Sequence, residues 1–231
     1  MIPIRDTIPC FNRPYVMWSF MAINIILFLG MHLMPEQMLH TFLYKYGMVA
    51  ARYTYPEWAA KSGFPDDHYF SFVSSMFLHG GWLHIAMNML FMWIFADNIE
   101  DRMGRLRFFS FYMICGLVGT FLQYYFNRDS TIPVIGASGA LAGVMGAYFF
   151  LYPYARIIIW VPFFVPLLFE VPAIVFLGLW MIIQLHSATV DLISREFSDV
   201  AWWGHLGGFI AGMIIHPLFI SDDKTPGENT E

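Results

Sequence analysis

The sequence predicts an all-α membrane protein in which a bundle of six helices crosses the bilayer. Hydrophobic residues make up 58% of the 231 residues and charged residues only 13%, whereas ordinary soluble domains carry about 25% charged residues. The mean hydropathy is +0.56. A soluble protein of this length could not bury so much apolar surface, and the apolar runs are long enough to cross a membrane.

Polar segments divide the apolar sequence into six predicted spans. They lie at residues 16–34, 72–96, 108–126, 132–155, 172–184 and 201–220. The predicted parts of the chain are therefore an N-terminal tail (1–15), a six-span domain (16–220) and an acidic, disordered C-terminal tail (221–231).

Two connecting regions have unusual sequences. Residues 35–71 are too long and too mixed to be a simple connector, so we expect short helices there, with aromatic side chains at the membrane interface. Prolines interrupt the apolar residues 157–185, and we expect an interfacial or membrane-dipping loop up to about Val171. Residues 187–200 are interpreted as a polar connector before the last span.

An even number of spans places both termini on one side of the membrane. The distribution of Lys and Arg favours the cytoplasmic side for these termini, and we expect a multi-pass protein of a bacterial inner membrane. In this orientation Ser138, His84 and His205 all lie in the outer half of the bilayer.

The sequence has no basic cluster that would indicate a nucleic-acid partner. It also has no His-Glu-x-x-His motif, and we expect neither a metal nor another cofactor.

The fourth predicted span contains an isolated hydroxyl group among small residues. Ser138 lies between Gly136 and Gly139 at the start of an apolar helix. Gly136 allows a backbone conformation that other residues avoid. A serine of this kind either packs against a neighbouring helix or acts as a nucleophile, and by itself this stretch favours packing.

Two polar residues of the second span face the same side of one helix. His84 and Asn88 are four residues apart, so they lie one above the other. Polar side chains at this depth are costly and usually face the protein interior. Taken alone, the pair fits hydrogen bonding to a neighbouring helix as well as it fits chemistry.

The last span carries His205 beside a series of glycines. Gly204, Gly208 and Gly212 recur every four residues and leave one helix face bare. Gly139 and Gly143 form a matching face on the Ser138 helix. Two such faces allow close approach, so that Ser138 could reach His205. A packed histidine beside a glycine zipper is the alternative interpretation.

Together these residues form a specific chemical set. A serine hydroxyl needs a base to take its proton, and an imidazole is the usual base. An amide and a second imidazole can donate hydrogen bonds to an oxyanion. No Asp or Glu lies at a depth suited to orient His205, since Asp97 and Glu100 are placed at the opposite membrane face. We therefore expect a Ser–His dyad without a carboxylate.

Several motifs resemble those of the rhomboid intramembrane serine proteases, and the resemblance covers nearly the whole chain. The motifs are Gly136-Ala-Ser-Gly139, His84-x-x-x-Asn88, Gly204-His-Leu-Gly-Gly208, Phe95-Ala-Asp-Asn-Ile-Glu100, Pro153-x-x-Arg156 and Pro172-Ala … Trp180-x-x-x-Gln184. The resemblance implies a six-helix rhomboid-like bundle with a water-filled cavity that opens outward. It implies Ser138 and His205 as the catalytic dyad. It also implies His84, Asn88 and the Ser138 backbone N–H as oxyanion donors. The implied substrates are single-span membrane proteins, cut in or near the span.

One position departs from the family pattern. Some members have an aromatic residue four positions after the serine, beneath the histidine ring, whereas this chain has Ala142. Either another aromatic residue orients His205, with Trp203 and Phe209 nearest in sequence, or the ring is held more loosely.

Substrate access is expected between the second and fifth spans. The fifth span is the weakest wall, because prolines precede it, a polar connector follows it and Gly178 offers little packing. Trp180 is its large residue, and Met87 is the plausible partner on the second span. The family resemblance also suggests a gate between these two helices.

Two other functions fit parts of the sequence. A small transporter would suit broken helices and polar residues within the membrane, but the sequence shows no pair of matching halves. An inactive family relative that only binds membrane clients is the second alternative, and the presence of Ser138 and His205 argues against it.

Overall fold

The protein is a mostly helical bundle, described by a computed structural model for residues 2–161, 167–194 and 200–220. Within these residues the α-helices are α1 (Tyr15–His32), α2 (Glu36–Tyr46), α3 (Ala50–Thr54), α4 (Pro56–Lys61), α5 (Ser71–Ser74), α6 (Trp82–Met103), α7 (Arg105–Phe126), α8 (Ser138–Leu151), α9 (Ala173–Ser194) and α10 (Trp202–Ile215). Strands β1 (Ile2–Asp6), β2 (Arg156–Val161) and β3 (Leu167–Pro172) form one sheet. Helix α8 packs against α6, α7 and α10 at the centre.

The sheet corrects the all-α prediction. Strand β2 contains three consecutive isoleucines, and β-branched residues favour extended backbone. It pairs antiparallel with both β1 and β3. The expected interfacial loop up to Val171 therefore contains a strand pair, in which Val171 lies opposite Ile157; residues 162–166 of that loop lie outside the described residues. Strand β1 comes from the predicted N-terminal tail, and no local pattern identifies its distant partner.

The second span also begins and ends later than predicted. Helix α6 runs from Trp82 to Met103 rather than over residues 72–96. The residues before it form α5 and a short 3₁₀ turn that ends at Phe77. Gly104 follows the helix with a φ of +79°, a value that favours glycine, and it ends α6.

Helix α9, which corresponds to the predicted fifth span, starts after Pro172 as predicted but extends well beyond Gln184, to Ser194. The residues after Gln184 include neither glycine nor proline, so nothing in them ends the helix. The first part of the predicted polar connector is therefore helical, and residues 195–199 of that connector lie outside the described residues.

The prediction of short helices between residues 35 and 71 is confirmed by α2, α3 and α4. This region packs against the segment that leads to α8. Met48 pairs with Val134 in an isolated β-bridge, and the Ala51 N–H donates to the Ser130 carbonyl oxygen at 3.0 Å. The contacts fix the chain just before Ser138.

Three helices of the described residues, α1, α7 and α9, are long and apolar enough to cross a membrane. Helices α8 and α10 have 14 residues each, a length of about 21 Å against about 30 Å for the hydrocarbon layer. Helix α6 is long, but several charged residues lie near its end. The six-span count therefore stays a prediction.

Glycine contacts join α8 directly to α10. A Cβ atom on Gly208 would lie 1.9 Å from the Gly139 carbonyl oxygen, and one on Gly212 would lie 1.9 Å from the Gly143 carbonyl oxygen. The predicted matching of glycine faces is confirmed for these two pairs. Gly204 faces α7 instead. The backbones of α8 and α10 therefore touch, and this contact sets the distance between the residues at their starts.

Candidate active site

Ser138 is the first residue of α8. The preceding Gly136 has a φ of +132°, a region that L side chains rarely adopt, and its N–H donates to the Ser75 carbonyl oxygen at 2.9 Å. A Cβ atom on Gly136 would lie 2.8 Å from His84 Nε2. Glycine is therefore required here both for backbone conformation and for space, and it brings the chain close to His84 as it enters the helix.

His205 lies in hydrogen-bond contact with Ser138. The distance from Ser138 Oγ to His205 Nε2 is 2.8 Å. His205 is in the first turn of α10, and its backbone N–H donates to the Ala201 carbonyl oxygen. The glycine contacts between α8 and α10 place these two helix starts side by side. A hydroxyl at this distance from an imidazole nitrogen can transfer its proton to it.

The second ring nitrogen of His205 has a partner that the sequence analysis missed. His205 Nδ1 lies 2.7 Å from Gln184 Oε1 of α9. The group at Nδ1 is therefore the amide of a glutamine. Gln184 is buried, as are Leu177 and Ala188 on the same helix. The sequence signal that could have identified this partner was a single glutamine in an otherwise apolar span.

The aromatic neighbours of His205 differ from those suggested by sequence proximity. The Trp180 ring centroid is 5.8 Å from that of His205, and the Trp202 ring meets it edge-on at 6.1 Å. Trp203 stacks instead on Phe126 of α7 at 3.8 Å, so its suggested role is wrong. Phe209 lies against Trp180 at 5.9 Å. Trp180, the expected gate residue, thus also lies beside the His205 ring.

His84 and Asn88 face the same cavity as Ser138 and His205. The position that a Gly136 Cβ would take is 2.8 Å from His84 Nε2 and 3.6 Å from Ser138 Oγ, so this imidazole lies near the hydroxyl. Asn88 is 6% exposed, and its Nδ2 has no hydrogen-bond partner among the residues that the structure describes. A buried amide donor without a partner is costly, and a negatively charged oxygen in the cavity is a suitable acceptor for it.

His79 supports the His84 ring from inside the protein. Its ring centroid is 5.1 Å from that of His84, with the two planes 64° apart, and the residue is 1% exposed. Neither ring nitrogen has a partner in the described part of the chain. The contact limits the movement of the His84 ring.

The cavity has a volume of about 540 Å³ and lies between α6, α8, α9 and α10. Four polar residues line it, namely His84, Asn88, Ser138 and His205. Its apolar lining includes Met87, Phe91, Met145 and Trp180. The predicted gate residues Met87 and Trp180 both line this cavity from opposite helices. An apolar cavity with a few convergent polar groups is typical of a binding or active site.

The acidic residues of α6 lie at the other end of the helix, as expected. The Glu100 carboxylate accepts hydrogen bonds from the Val16 and Met17 N–H groups at the start of α1. Asp101 accepts from the Phe11 and Asn12 N–H groups. These carboxylates anchor the N-terminal segment. The described residues also contain no group of three or more His, Cys, Asp or Glu suited to a metal ion.

Comparisons with known proteins agree with the geometry. The model of the Rhomboid domain matches residues 66–222. Rhomboid protein 1, mitochondrial, of Saccharomyces cerevisiae is 27% identical over 203 residues, which are 86% of this chain and 51% of that protein. Presenilin-associated rhomboid-like protein A, mitochondrial, of Danio rerio is 30% identical over 146 residues, 61% of this chain and 35% of that protein.

A bacterial protein is also similar. The putative rhomboid protease YdcA of Bacillus subtilis is 28% identical over 89 residues, 38% of this chain and 44% of that protein. The chain spans about half the length of these curated relatives or less. The domain match covers well over half of the chain and includes Ser138, His84, Asn88 and His205. By this match, the chain belongs to the rhomboid family.

Proposed function

We propose that the protein is an intramembrane serine endopeptidase that cleaves single-span membrane proteins in or near their transmembrane segment. The observation that carries this proposal is the 2.8 Å contact between Ser138 Oγ and His205 Nε2 in a cavity with apolar walls. Ser138 is the nucleophile and His205 the general base.

The reaction follows the ordinary course of acyl transfer. Ser138 Oγ attacks the carbonyl carbon of the scissile peptide while its proton moves to His205 Nε2. The resulting imidazolium gives this proton to the leaving amine as the C–N bond breaks. A water molecule then attacks the acyl carbon while His205 Nε2 takes its proton. The bond from this carbon to Ser138 Oγ breaks, the new carboxyl terminus leaves, and His205 returns the proton to Ser138 Oγ.

His84, Asn88 and the Ser138 backbone N–H are the proposed oxyanion donors. The first N–H groups of a helix have no acceptor within the helix, and Ser138 is the first residue of α8. The Asn88 Nδ2 has no partner among the described residues, which leaves it available to the reacting oxygen. Donors fixed in advance lower the barrier most, because they need no reorganisation during the reaction.

The substrate reaches the site from the lipid, in this proposal, between α6 and α9. Met87 and Trp180 line the cavity from these two helices. In the proposed topology of six spans with both termini in the cytoplasm, the site lies in the outer half of the bilayer. Two of the relatives named above are mitochondrial by name, so the bacterial inner membrane stays a prediction.

The direct test has two parts. A fluorophosphonate probe should label the purified protein, and Ser138→Ala should remain folded but unlabelled. His205→Ala should also prevent labelling, because the base is lost. Candidate single-span membrane proteins are then co-expressed with the wild type or with Ser138→Ala, and only the wild type should cleave them.

Two results would contradict the proposal. Undiminished cleavage by either variant would exclude the Ser–His dyad. A folded wild type that binds membrane proteins but neither cleaves them nor reacts with the probe would indicate an inactive, client-binding member of the family.

A further inference from the structure

We infer that Gln184 is a positioning residue for His205, holding Nδ1–H so that Nε2 is the nitrogen that receives the Ser138 proton. This inference rests on the proposed function. It starts from two contacts on one ring, 2.7 Å from Nδ1 to Gln184 Oε1 and 2.8 Å from Nε2 to Ser138 Oγ. It assigns the role that a carboxylate has in a triad to an amide on a different helix.

The two contacts are compatible with one tautomer of the base. A carbonyl oxygen such as Gln184 Oε1 can only accept a hydrogen bond, so Nδ1 carries the hydrogen. A neutral imidazole has a single N–H, which leaves Nε2 with a free lone pair. Nε2 then accepts from the Ser138 hydroxyl, as a general base must. The opposite tautomer would donate from Nε2 and leave the Ser138 proton without an acceptor.

The amide also suits the charge that develops during the reaction. When Nε2 gains the proton, the ring becomes an imidazolium, and Nδ1–H becomes a stronger donor to Gln184 Oε1. A neutral amide supports this cation less than a carboxylate would. It also avoids burying a permanent negative charge, which is costly in an apolar interior. Gln184 is 5% exposed, so water does not substitute readily for it.

Helix α9 contacts the ring in a second way. Trp180, one turn before Gln184, lies beside the His205 ring with a centroid distance of 5.8 Å. One helix therefore holds an edge of the imidazole by a hydrogen bond and covers part of its face with an aromatic ring. The base is positioned by the helix that also forms the proposed gate, and displacement of α9 would release it.

The experiment compares Gln184→Leu, Gln184→Met and Gln184→Glu in cleavage of a soluble reporter peptide and of a membrane substrate. We expect the Leu and Met variants to lose kcat by about 10- to 100-fold, the size seen when a hydrogen-bond partner that orients a metal-ligating histidine is removed, with little change in KM. The Glu variant keeps an acceptor for Nδ1–H and should retain activity. If Gln184→Leu does not fold, the other two variants still decide the matter.

The pH profile separates positioning from a general structural role. A carboxylate at residue 184 favours the imidazolium, so the acid limb of the kcat/KM profile should move to higher pH in Gln184→Glu. Loss of the acceptor should move it to lower pH in Gln184→Leu. The matched control is Gln123→Leu, because Gln123 is also buried and its Oε1 accepts from the Gly204 N–H of α10 at 3.1 Å. That variant should lower thermal stability and leave the acid limb in place.

A tautomer measurement makes the inference independent of activity. In protein labelled with ¹⁵N-histidine, the His205 signals, assigned by their loss in His205→Ala, should show Nδ1–H in the wild type and a mixture in Gln184→Leu. An unchanged tautomer together with an unchanged acid limb in Gln184→Leu would overturn the inference. Absence of probe labelling and cleavage in the wild type would refute the proposed function instead, while the tautomer result would still test the role of Gln184.

Discussion

The α8–α10 pair and helix α9 contribute to the same site but are held in very different ways. Nine of the 14 residues of α8 and seven of the 14 residues of α10 are buried. In α9 only four of 22 residues are buried. The first two helices touch through their glycine backbones, whereas the nearest atom to a Cβ on Gly178 of α9 would be 3.9 Å away.

The difference separates two requirements of the proposed reaction. The distance between nucleophile and base depends on two helices whose backbones touch, and a close-packed interface of this kind resists deformation. The group that orients the base and the wall that admits substrate lie on a helix with few buried contacts. Such a helix can move at lower cost than one in the core. The site thus combines a Ser138–His205 pair on two closely packed helices with a supporting residue on a helix that is buried much less.

The largest expected effect comes from a methyl group placed between α8 and α10. In Gly208→Ala the added Cβ would lie 1.9 Å from the Gly139 carbonyl oxygen, so the two backbones must separate. We expect loss of probe labelling and a much lower thermal unfolding temperature in detergent. The matched change on α9, Gly178→Ala, would make only an ordinary van der Waals contact with the Phe149 ring at 3.9 Å and should stabilise the helix by about 0.5–1 kcal/mol. Equal responses of the two variants would contradict the difference in packing between the α8–α10 pair and α9.

The next largest effect tests the oxyanion donors on α6. Asn88→Ala should lower kcat by about 10²–10³ with little change in KM, the size seen when one oxyanion donor is removed. His84→Ala should behave similarly. Asn98→Ala is the control, because Asn98 is a buried asparagine of the same helix whose side chain bonds to the Ile8 carbonyl oxygen. It should reduce stability and leave kcat unchanged. Normal turnover in the His84 and Asn88 variants would make these residues packing groups.

A smaller effect is expected from widening the proposed gate. Trp180→Ala should preserve or raise cleavage of a membrane-embedded substrate and do little for a soluble peptide, which enters from water. Because the Trp180 ring also lies beside His205, Met87→Ala is the cleaner test and should raise membrane cleavage without affecting the peptide. A disulfide engineered between α6 and α9 should block the membrane substrate until it is reduced.

The gate proposal has a clear opposite outcome. If Trp180→Ala abolishes cleavage of both substrates in a folded protein, its role is support of His205 and the entry path lies elsewhere. A cross-linked protein that still cleaves the membrane substrate at the normal rate would likewise place the entry path away from α6 and α9.

The smallest expected effect is a labelling difference that reports topology. With a cytoplasmic N-terminus, an impermeant thiol reagent outside intact cells should miss Cys10. Burial and the nearby Asp97 and Asp101 carboxylates raise the pKa of the Cys10 thiol to about 11. Little thiolate therefore exists at neutral pH, and the absence of labelling at Cys10 would be ambiguous. A new cysteine at an exposed position gives a sharper measurement.

Phe11→Cys and Tyr69→Cys form the matched pair, each in a Cys10→Ser background. Phe11 is 65% exposed in the N-terminal segment, and Tyr69 is 67% exposed in the region between α4 and α5. We expect labelling of Tyr69→Cys in intact cells and labelling of Phe11→Cys only after lysis. The reverse pattern would invert the topology and place the site on the cytoplasmic side.

The sequence by itself determined the features that depend on local spacing. Three local patterns are visible in the sequence: a serine between two glycines, a His and an Asn one helical turn apart, and glycines at every fourth residue. Helix geometry converts such spacing directly into shared faces. The bare glycine faces on the Ser138 helix and on the His205 helix followed from that spacing, whereas the contact of Gly208 with Gly139 and of His205 with Ser138 is a tertiary feature.

Only the tertiary structure decided which distant groups meet. Gln184 and Trp180 lie in an apolar stretch, and nothing in their spacing relates them to His205 on another helix. Strand β1 likewise pairs with β2, which follows α8 in the chain, and Ile2 lies opposite Trp160. Pairing between remote segments depends on how all the helices pack together, because the chain must first pay the entropy of bringing those segments into contact.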